Sequence, residues 1–369
     1  MREYLVVFGI ALGVTYLLGV VAREVALKYN AVAQVRDRDV HAVPIPYFGG
    51  VAILGGLLAA YLVANRLPFL SRSYDTVLGD ALPVLIGGSV ICLVGVVDDL
   101  FELDALSKFA GQVLAAVIAV ALGVQFLYLP LPGNYFLIDP TQAFVLSVFI
   151  IVLTANAVNF VDGLDGLAAG VVAIGSLAFF TYAFLLAVQN GETRAVTAAF
   201  LTAALAGACI GILPHNFFPA RMFIGDSGSM LIGFVLAASA IALTGQFSAA
   251  TVTEGARASL LPTFLPLFLP FTMLLVPFVD LFLAVIRRTR AGRSPFSPDK
   301  MHLHHRLLEI GHSHRRAVIV MYMLAALVAF GSVVISLYAG WRTYAGFGVL
   351  AAITLVVMVW LPRWRSTSI

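Results

Sequence analysis

Long apolar runs are the strongest constraint on what this chain can form. Eleven such runs of about 20 residues follow one another along its 369 residues, and a run of that length crosses a bilayer as one helix. Hydrophobic residues make up 61% of the chain and charged residues 11%, whereas soluble domains are about 45–50% apolar and about 25% charged. The sequence therefore predicts an all-α polytopic membrane protein with about 11 transmembrane helices, in a single domain over residues 1–369. The predicted spans are roughly 4–22, 47–64, 80–97, 108–124, 141–157, 167–188, 194–213, 229–244, 259–286, 316–338 and 344–361.

The distribution of basic residues predicts how these spans are oriented. Most of the 22 lysines and arginines fall in loops on one side of the predicted helices, and loops rich in Lys and Arg stay in the cytoplasm. We therefore expect the N-terminus outside, the C-terminus in the cytoplasm, and an active site on the cytoplasmic loops. The span 259–286 contains four prolines, so we expect it to be kinked or broken. The outer side holds only Arg2, Arg66, Arg72, Arg194, Arg257 and Arg342.

Two adjacent carboxylates, Asp98 and Asp99, end one of the apolar runs on the cytoplasmic side. Adjacent carboxylates repel each other unless a cation or a proton lies between them. If the substrate carries phosphate, oxygen ligands of this kind favour Mg²⁺, with Mn²⁺ as the other option. The same pair is also compatible with a solvated acidic loop at the membrane edge.

A second motif places four polar side chains at three-residue intervals, which lines them along one side of a helical turn. Amides can bond sugar or base edges, and carboxylates can bind hydroxyls or a metal ion. The alternative is a capped helix end with an Asx turn, although four polar side chains exceed what one cap needs. The four residues are Asn156, Asn159, Asp162 and Asp165.

Further polar groups lie at other cytoplasmic ends of the predicted spans. The segment 225–229, Gly-Asp-Ser-Gly-Ser, opens a helix whose N-terminus would bind phosphate well, or it is an ordinary N-cap around Asp226. Lys108 would either contact a diphosphate or anchor its helix at the interface. His41 lies at a polar-to-apolar junction that would shape a cytoplasmic re-entry. Asp280, inside an apolar run, is either functional or paired with a basic residue.

Three histidines, His302, His304 and His305, follow a strongly basic loop. Cations beside a polyanionic substrate can neutralise the charge that develops in phosphoryl transfer. Zinc binding is a rival interpretation, but no cysteine lies near these histidines. The third interpretation is an ordinary basic cytoplasmic loop in which the histidines are incidental.

These motifs together resemble those of the polyprenyl-phosphate N-acetylhexosamine-1-phosphate transferases, the superfamily of WecA, TagO and MraY. The resemblance covers nearly the whole chain. Leu303 interrupts the histidines, which is similar to the WecA/TagO branch, whereas the MraY branch has three in a row. Tyr47-Phe48 stands where many relatives have an Arg-Leu-like pair. The matching motifs are His41-x-x-Pro44-x-Pro46-x-x-Gly49-Gly50, Asp98-Asp99, Asn156-x-x-Asn159-x-x-Asp162-Gly163-x-Asp165-Gly166-Leu167, Phe223-x-Gly225-Asp226-x-Gly228-Ser229 and His302-Leu303-His304-His305-Arg306.

The resemblance implies a reaction in the bacterial inner (plasma) membrane. A UDP-N-acetylhexosamine, with UDP-GlcNAc preferred, would give its sugar-1-phosphate to undecaprenyl or decaprenyl phosphate, releasing UMP in the first lipid-linked step of cell-envelope polysaccharide synthesis. Mg²⁺ is the implied cofactor, a homodimer is compatible with the resemblance, and no nucleic-acid partner is expected. The alternatives are the phospho-MurNAc-pentapeptide transfer of the MraY branch and a secondary transporter, although transporters place their sites between internal repeats and no repeat is visible.

The expected roles of the residues follow from that reaction. Asp226 would bind Mg²⁺, while Asp98 and Asp99 would complete the metal environment and one of them would deprotonate or orient the lipid phosphate. His304 and His305 would act in catalysis by stabilising the leaving phosphate. We prefer direct in-line displacement to a covalent aspartyl intermediate. The expected substrate-binding residues are His41, Lys108, Asn156, Asn159, Asp162, Asp165, His302 and Arg306.

Overall fold

The computed structural model describes residues 1–29, 31–33, 44–72, 77–126, 128–131, 134–190, 193–244, 313–338 and 340–360, together with positions 286, 289, 290 and 292. The predicted span 259–286, apart from its last residue, lies outside the described residues. So do six candidate functional residues, which are His41, Asp280, His302, His304, His305 and Arg306.

Helices account for most of the described chain, and each predicted span other than 259–286 coincides with one of them. Seven are long and apolar enough to cross a membrane by length and composition, as expected of a multi-pass membrane protein. The total of about 11 spans stays a prediction. The helices are α1 (Arg2–Lys28), α2 (Gly49–Ala64), α3 (Pro68–Arg72), α4 (Gly79–Phe101), α5 (Ala105–Ala121), α6 (Pro140–Val161), α7 (Leu167–Asn190), α8 (Thr193–Asn216), α9 (Gly225–Thr244), α10 (His314–Leu337) and α11 (Trp341–Trp360). The seven long apolar helices are α1, α4, α6, α7, α8, α9 and α10.

Short polar side chains fix where α5 and α6 begin. The Asp104 carboxylate accepts hydrogen bonds from the backbone N–H groups of Leu106 and Ser107 at 3.0 and 3.1 Å, which satisfies donors that a helix start leaves unpaired. Asp139 caps α6 in the same way through the N–H of Thr141 at 2.9 Å. The cap at Asp104 matters for the site, because it sets the position of the first turn of α5.

Helices α8 and α9 form the centre of the bundle. In the membrane-length part of each, 89% of the residues are buried, compared with 22% for α1. α8 packs against α1, α7 and α9, while α9 packs against α4, α6 and α8. The first turn of α9 is therefore surrounded by the ends of other helices.

Two antiparallel strand pairs join helices in the part of the chain that the structure describes. β1 (Val32–Ala33) pairs with β2 (Ile45–Pro46), and β3 (Tyr128–Leu131) pairs with β4 (Asn134–Leu137). The chain after β2 also bonds the segment before α9, because the N–H groups of Gly49 and Gly50 donate to the carbonyls of Phe223 and Ile224 at 3.1 and 3.0 Å. These bonds fasten the start of α2 to the start of α9.

Two glycines allow the first turn of α9 to lie against its neighbours at backbone distance. A Cβ on Gly50 of α2 would lie 2.3 Å from the backbone nitrogen of Gly228, and a Cβ on Gly95 of α4 would lie 2.3 Å from the Cα of Ser227. Real side chains do not approach backbone so closely. Glycine at these two positions thus lets α2 and α4 hold the first turn of α9 from two directions.

Candidate active site

Four helix ends bring polar side chains together on one side of the molecule. The C-terminal ends of α4 and α6 carry Asp98, Asp99 and Asn159, and the N-terminal ends of α5 and α9 carry Lys108 and Asp226. The sequence predicts that these residues share a face, and hydrogen bonds and ion pairs join them in the structure. We refer to these five residues as the polar cluster.

Lys108 lies between two carboxylates of the polar cluster. Its Nζ lies 2.8 Å from Oδ2 of Asp98 and 2.6 Å from Oδ2 of Asp226. The other oxygen of Asp98 accepts the backbone N–H of Leu103 at 2.9 Å, and the Asp98 side chain is only 7% exposed. One ammonium thus offsets the repulsion between two carboxylates, of which the Asp98 carboxylate is shielded from water.

Asp99 bonds the backbone at the N-terminal end of α9, whereas Asp98 pairs with Lys108. Its two oxygens accept the backbone N–H groups of Asp226 and Ser227 at 2.8 and 3.2 Å. A carboxylate at a helix N-terminus satisfies orphan donors and is favoured by the helix dipole. Asp99 therefore orients Asp226, a geometry that the sequence did not reveal; its expected contribution to a metal site stays a prediction.

Asn159 joins α6 to the carboxylate of Asp226. Its Nδ2 donates to Oδ1 of Asp226 and lies 2.8 Å from the hydroxyl oxygen of Ser229. Each carboxylate oxygen of Asp226 thus has a donor, Lys108 on one and Asn159 on the other. This fixes the rotamer of Asp226, the residue expected to bind a metal ion.

Asn156 lies one turn earlier in α6 and is paired inside the protein. Its Nδ2 donates to Oε1 of Gln112 at 2.6 Å, and Nε2 of Gln112 donates back to its Oδ1 at 3.2 Å. Gln112 is 1% exposed and also contacts the sulfur of Met230 at 3.0 Å. The expectation that Asn156 binds substrate stays a prediction, and in the structure its amide joins α6 to α5.

Asp165 ties the loop after α6 to two other parts of the chain. Its carboxylate accepts the N–H of Ala220 at 2.9 Å, and its own N–H donates to Nε2 of His314 at 3.1 Å. The ring of His314 also stacks on Phe218 with centroids 4.4 Å apart. Asp165 is 4% exposed, so in this arrangement it fixes the loop that precedes it.

Asp162, the first residue after α6, lies among negative charges. Its desolvation, followed by the carboxylates of Asp226, Asp99 and Asp165, raises its pKa well above the usual range. A cation nearby would favour the charged form and lower that pKa. Asp162 would therefore carry its negative charge more readily if a cation were bound at this end of α6.

The oxygen ligands of the polar cluster suit one divalent cation, Mg²⁺. Among the described residues, no group of three or more His, Cys, Asp and Glu side chains has the arrangement to hold a metal ion by itself. Mg²⁺, however, is usually bound through one or two carboxylates together with substrate phosphates. Asp98 and Asp226 already converge on one cation, the Lys108 ammonium. The donor set thus fits Mg²⁺ that arrives with a phosphate ligand.

Four residues of this region were missed from the sequence. Gln112 lies four residues after Lys108, on the same helical face, and that spacing is a signal that could have been used. Ser229 belongs to the 225–229 motif, in which the sequence draws attention to Asp226. Asn216, whose Oδ1 accepts the N–H of Gly166 at 3.1 Å, belongs to no motif. His314 follows His312 in a histidine-rich stretch whose sequence gives no sign of the contact with Asp165.

Comparison with known proteins supports an enzyme. Residues 81–244 match the model of glycosyl transferase family 4, a range that contains the whole polar cluster. A protein of Mycolicibacterium smegmatis (strain ATCC 700084 / mc(2)155) named decaprenyl-phosphate N-acetylglucosaminephosphotransferase is 43% identical, over 99% of this chain and 90% of its own. A Bacillus subtilis (strain 168) protein named probable undecaprenyl-phosphate N-acetylglucosaminyl 1-phosphate transferase is 30% identical, over 91% and 86%. A phospho-N-acetylmuramoyl-pentapeptide-transferase of Desulforudis audaxviator (strain MP104C) is also 30% identical, over 89% and 97%.

The helical fold and its polar site thus define a multi-pass membrane enzyme. The chain belongs to glycosyl transferase family 4, among the polyprenyl-phosphate N-acetylhexosamine-1-phosphate transferases of the WecA and MraY superfamily. This confirms the resemblance read from the motifs. The roles of individual residues, including the six outside the described residues, stay predictions.

Proposed function

We propose that this chain transfers GlcNAc-1-phosphate from UDP-GlcNAc to decaprenyl phosphate. The observation that carries the proposal is the polar cluster, in which Lys108 lies between Asp98 and Asp226. The two carboxylates suit the metal ion that accompanies a diphosphate, and the ammonium suits the diphosphate itself. The relative at 43% identity bears the name of this activity, which supports the donor and the acceptor chosen here.

The reaction balances as a single displacement. An oxygen of the lipid phosphate attacks the β-phosphorus of UDP-GlcNAc, and a new P–O bond forms there. The bond from the β-phosphorus to the oxygen that bridges the two phosphates breaks, and that oxygen leaves with UMP. The products are polyprenyl-diphosphate-GlcNAc and UMP.

The polar cluster would bind and orient the charged parts of both substrates. Bound Mg²⁺, or Mn²⁺ in its place, would neutralise the diphosphate and make UMP a better leaving group. Asp226 and Asp98 would hold that ion, since their oxygens already meet at one cation. Asp99 would keep Asp226 in position through the backbone of α9, and Asn159 would keep its other oxygen oriented.

Lys108 would act on the diphosphate directly. Its side chain is 21% exposed, so its ammonium can reach a phosphate bound beside the two carboxylates. An ammonium aimed at charge that develops on the phosphates stabilises the transition state more than the ground state. His302, His304, His305 and Arg306 are proposed to add positive charge around the leaving UMP.

We further propose that this site faces the cytoplasm at the inner membrane. The donor is a nucleotide sugar, which is made in the cytoplasm, and the basic loops of the chain are expected on that side. The lipid phosphate would approach from the same leaflet. Its headgroup would then meet the ends of α4, α5, α6 and α9.

The test is a transfer assay on the full chain purified in detergent. Decaprenyl phosphate and Mg²⁺ are incubated with radiolabelled UDP-GlcNAc, UDP-GalNAc or UDP-MurNAc-pentapeptide, and label in the lipid phase is counted with UMP release. We expect transfer from UDP-GlcNAc, loss on chelation of the metal ion, and a fall of about 10²–10³-fold in Asp226→Asn. Glu24→Gln, which changes an exposed acid on α1, is the matched control and should keep the parental rate.

Two results would overturn the proposal in different ways. Transfer from UDP-MurNAc-pentapeptide in preference to UDP-GlcNAc would move the chain to the MraY type of activity. Transfer that survives in Asp226→Asn, with unchanged dependence on Mg²⁺, would keep the reaction and refute the role given to Asp226.

A further inference from the structure

A cleft between α10 and α11 lies far from the polar cluster. It encloses about 440 Å³, and its α10 wall includes Leu327, Phe330 and Val334. Ala326, the lining residue nearest the start of α10, lies roughly 18 Å along the helix axis from His314, at 1.5 Å per residue. The cleft is thus in the half of the molecule opposite the candidate active site.

The lining of the cleft is apolar along its length and basic at one end. On α11 it is formed by Gly346, Phe347 and Leu350, while Arg342 and Thr343 in the first turn of α11 close one end. The Phe347 ring lies so close to Gly331 that a Cβ there would be 2.3 Å from it. The cleft is therefore shaped by residues of both helices and suits a chain of methylene groups.

The side chains around Arg342 are typical of a membrane interface. Tyr338, Trp341 and Tyr344 are 64%, 75% and 49% exposed around it, and exposed Tyr and Trp are typical of the headgroup level. The guanidinium lies 5.6 Å from the Trp341 ring centroid. No Asp or Glu occurs in the sequence after Glu309, so neither helix of this hairpin offers Arg342 a carboxylate.

We propose that this cleft binds a membrane phospholipid with an anionic headgroup. One acyl chain would lie along the apolar wall between α10 and α11, and the lipid phosphate would be paired with the guanidinium of Arg342. A guanidinium donates two parallel hydrogen bonds to a phosphate, and an acyl chain in the cleft covers apolar lining. The lipid would stabilise the packing of α11, which among the described elements contacts chiefly α10.

Native mass spectrometry of the purified full chain tests the proposal. The protein is titrated with phosphatidylglycerol and, separately, with phosphatidylcholine of the same acyl chains, and the bound lipids are counted. We expect phosphatidylglycerol to bind more tightly, and Arg342→Gln to weaken it about tenfold or more, as the loss of a charged hydrogen bond predicts. Arg66→Gln, which changes an exposed arginine between α2 and α3, should bind phosphatidylglycerol as the parent does.

A matched pair of glycine variants tests the cleft itself. Gly346 and Gly348 both have nothing within 4 Å of an added Cβ, but only Gly346 lines the cleft. Gly346→Leu should lower the binding of both lipids by filling the space, and Gly348→Leu should not. Transfer activity in each variant shows that the protein is folded.

Three outcomes would overturn the proposal. The first is equal binding of the two lipids that Arg342→Gln does not change. The second is a Gly346→Leu variant that alters the oligomeric state and leaves lipid binding intact, which would assign the cleft to a second copy of the chain. The third is displacement of phosphatidylglycerol by equimolar decaprenyl phosphate, which would assign the cleft to the substrate.

Discussion

At the scale of single residues, the pairing of Lys108 with Asp98 and Asp226 decides how the site holds its charge. The ammonium lies 2.8 Å from the Asp98 carboxylate and 2.6 Å from the Asp226 carboxylate, and Asp98 is buried. When a charged set is partly buried, removing one member leaves the other charges uncompensated, and this destabilises the protein. Lys108 thus has a structural task as well as the catalytic one proposed above.

Substitution of Lys108 separates these two tasks. Lys108→Gln should lower the transfer rate by about 10²–10³-fold, since it removes one cation from the diphosphate site. It should also lower the midpoint of thermal unfolding in detergent, because two carboxylates then face each other without a cation between them. The rate is measured as UMP release at saturating substrate concentrations.

Lys28→Gln is the control for this experiment. Lys28 is an exposed lysine in the last turn of α1, and its substitution should leave both the rate and the midpoint unchanged. A Lys108→Gln protein that keeps the parental rate would contradict the role of its ammonium in transfer.

The sequence shows which residues carry the chemistry more readily than it shows how they are held. Asp98, Asp226 and Asn159 stand in polar motifs, which are unusual beside apolar runs. That these residues share one face of the molecule could therefore be predicted. The partner of Asn156 could not, because pairing with Gln112 depends on the rotation of α5 against α6. Asp99 also adjoins Asp98 in sequence, yet it bonds the backbone of α9 instead of Lys108.

At the scale of elements, the reciprocal amide pair of Gln112 and Asn156 locks α5 against α6. The two hydrogen bonds measure 2.6 and 3.2 Å and lie one turn below the polar cluster. Lys108 and Asn159 project from the same two helices toward Asp226. The amide pair therefore fixes the spacing of α5 and α6, and with it the distance between the two side chains that donate to Asp226.

A double-mutant cycle measures this pair. Gln112→Leu and Asn156→Leu should each destabilise the protein by about 1–3 kcal/mol, since each removes the reciprocal hydrogen bonds of the remaining amide. Asn156→Leu should cost more, because Gln112 is buried, whereas Asn156 is partly buried and keeps its bond to the carbonyl of Val152. The double variant should cost less than the sum, because neither amide then remains. Thermal unfolding midpoints in detergent give the comparison, and strictly additive losses would show that the pair is not coupled.

The glycines at the start of α9 show what sequence can say about packing. Gly49-Gly50 forms part of a sequence motif, but only the structure shows why glycine is needed there, because Gly50 lies against the backbone at Gly228. Gly95 lies inside an apolar run and carries no signal of its contact with Ser227. Close approach between helices depends on their crossing, which composition and spacing do not encode.

At the scale of the whole molecule, the described helices place the polar cluster at one end of the bundle and Arg342 at the other. The ends of α4, α5, α6 and α9 meet at the cluster, while α11 begins at the far end of α10. The order of helices and their apolar character could be predicted from the runs alone. The central position of α8 and α9 could not, since their runs are no more apolar than those of outer helices.

Cysteine labelling tests the orientation of the molecule. Cysteine is introduced at Arg66 or Arg342, both expected outside, and at Lys28 or Arg221, both expected in the cytoplasm, and intact cells are treated with a membrane-impermeant maleimide. Only the first two variants should react, because the positive-inside rule orients the basic loops. The native Cys92 and Cys209 are buried and should stay unlabelled. Labelling of the Arg221→Cys variant in intact cells would reverse the topology.

The central claim is that the sugar moves together with its phosphate, and UDP-GlcNAc labelled with ³²P at the β-phosphorus tests it most directly. The purified chain is incubated with this donor, decaprenyl phosphate and Mg²⁺, and the lipid and aqueous phases are separated. The account predicts that the label enters the lipid phase in equal amount with the UMP released. Label that stays in water as UDP, while the sugar enters the lipid, would mean transfer of the sugar alone and would contradict the account.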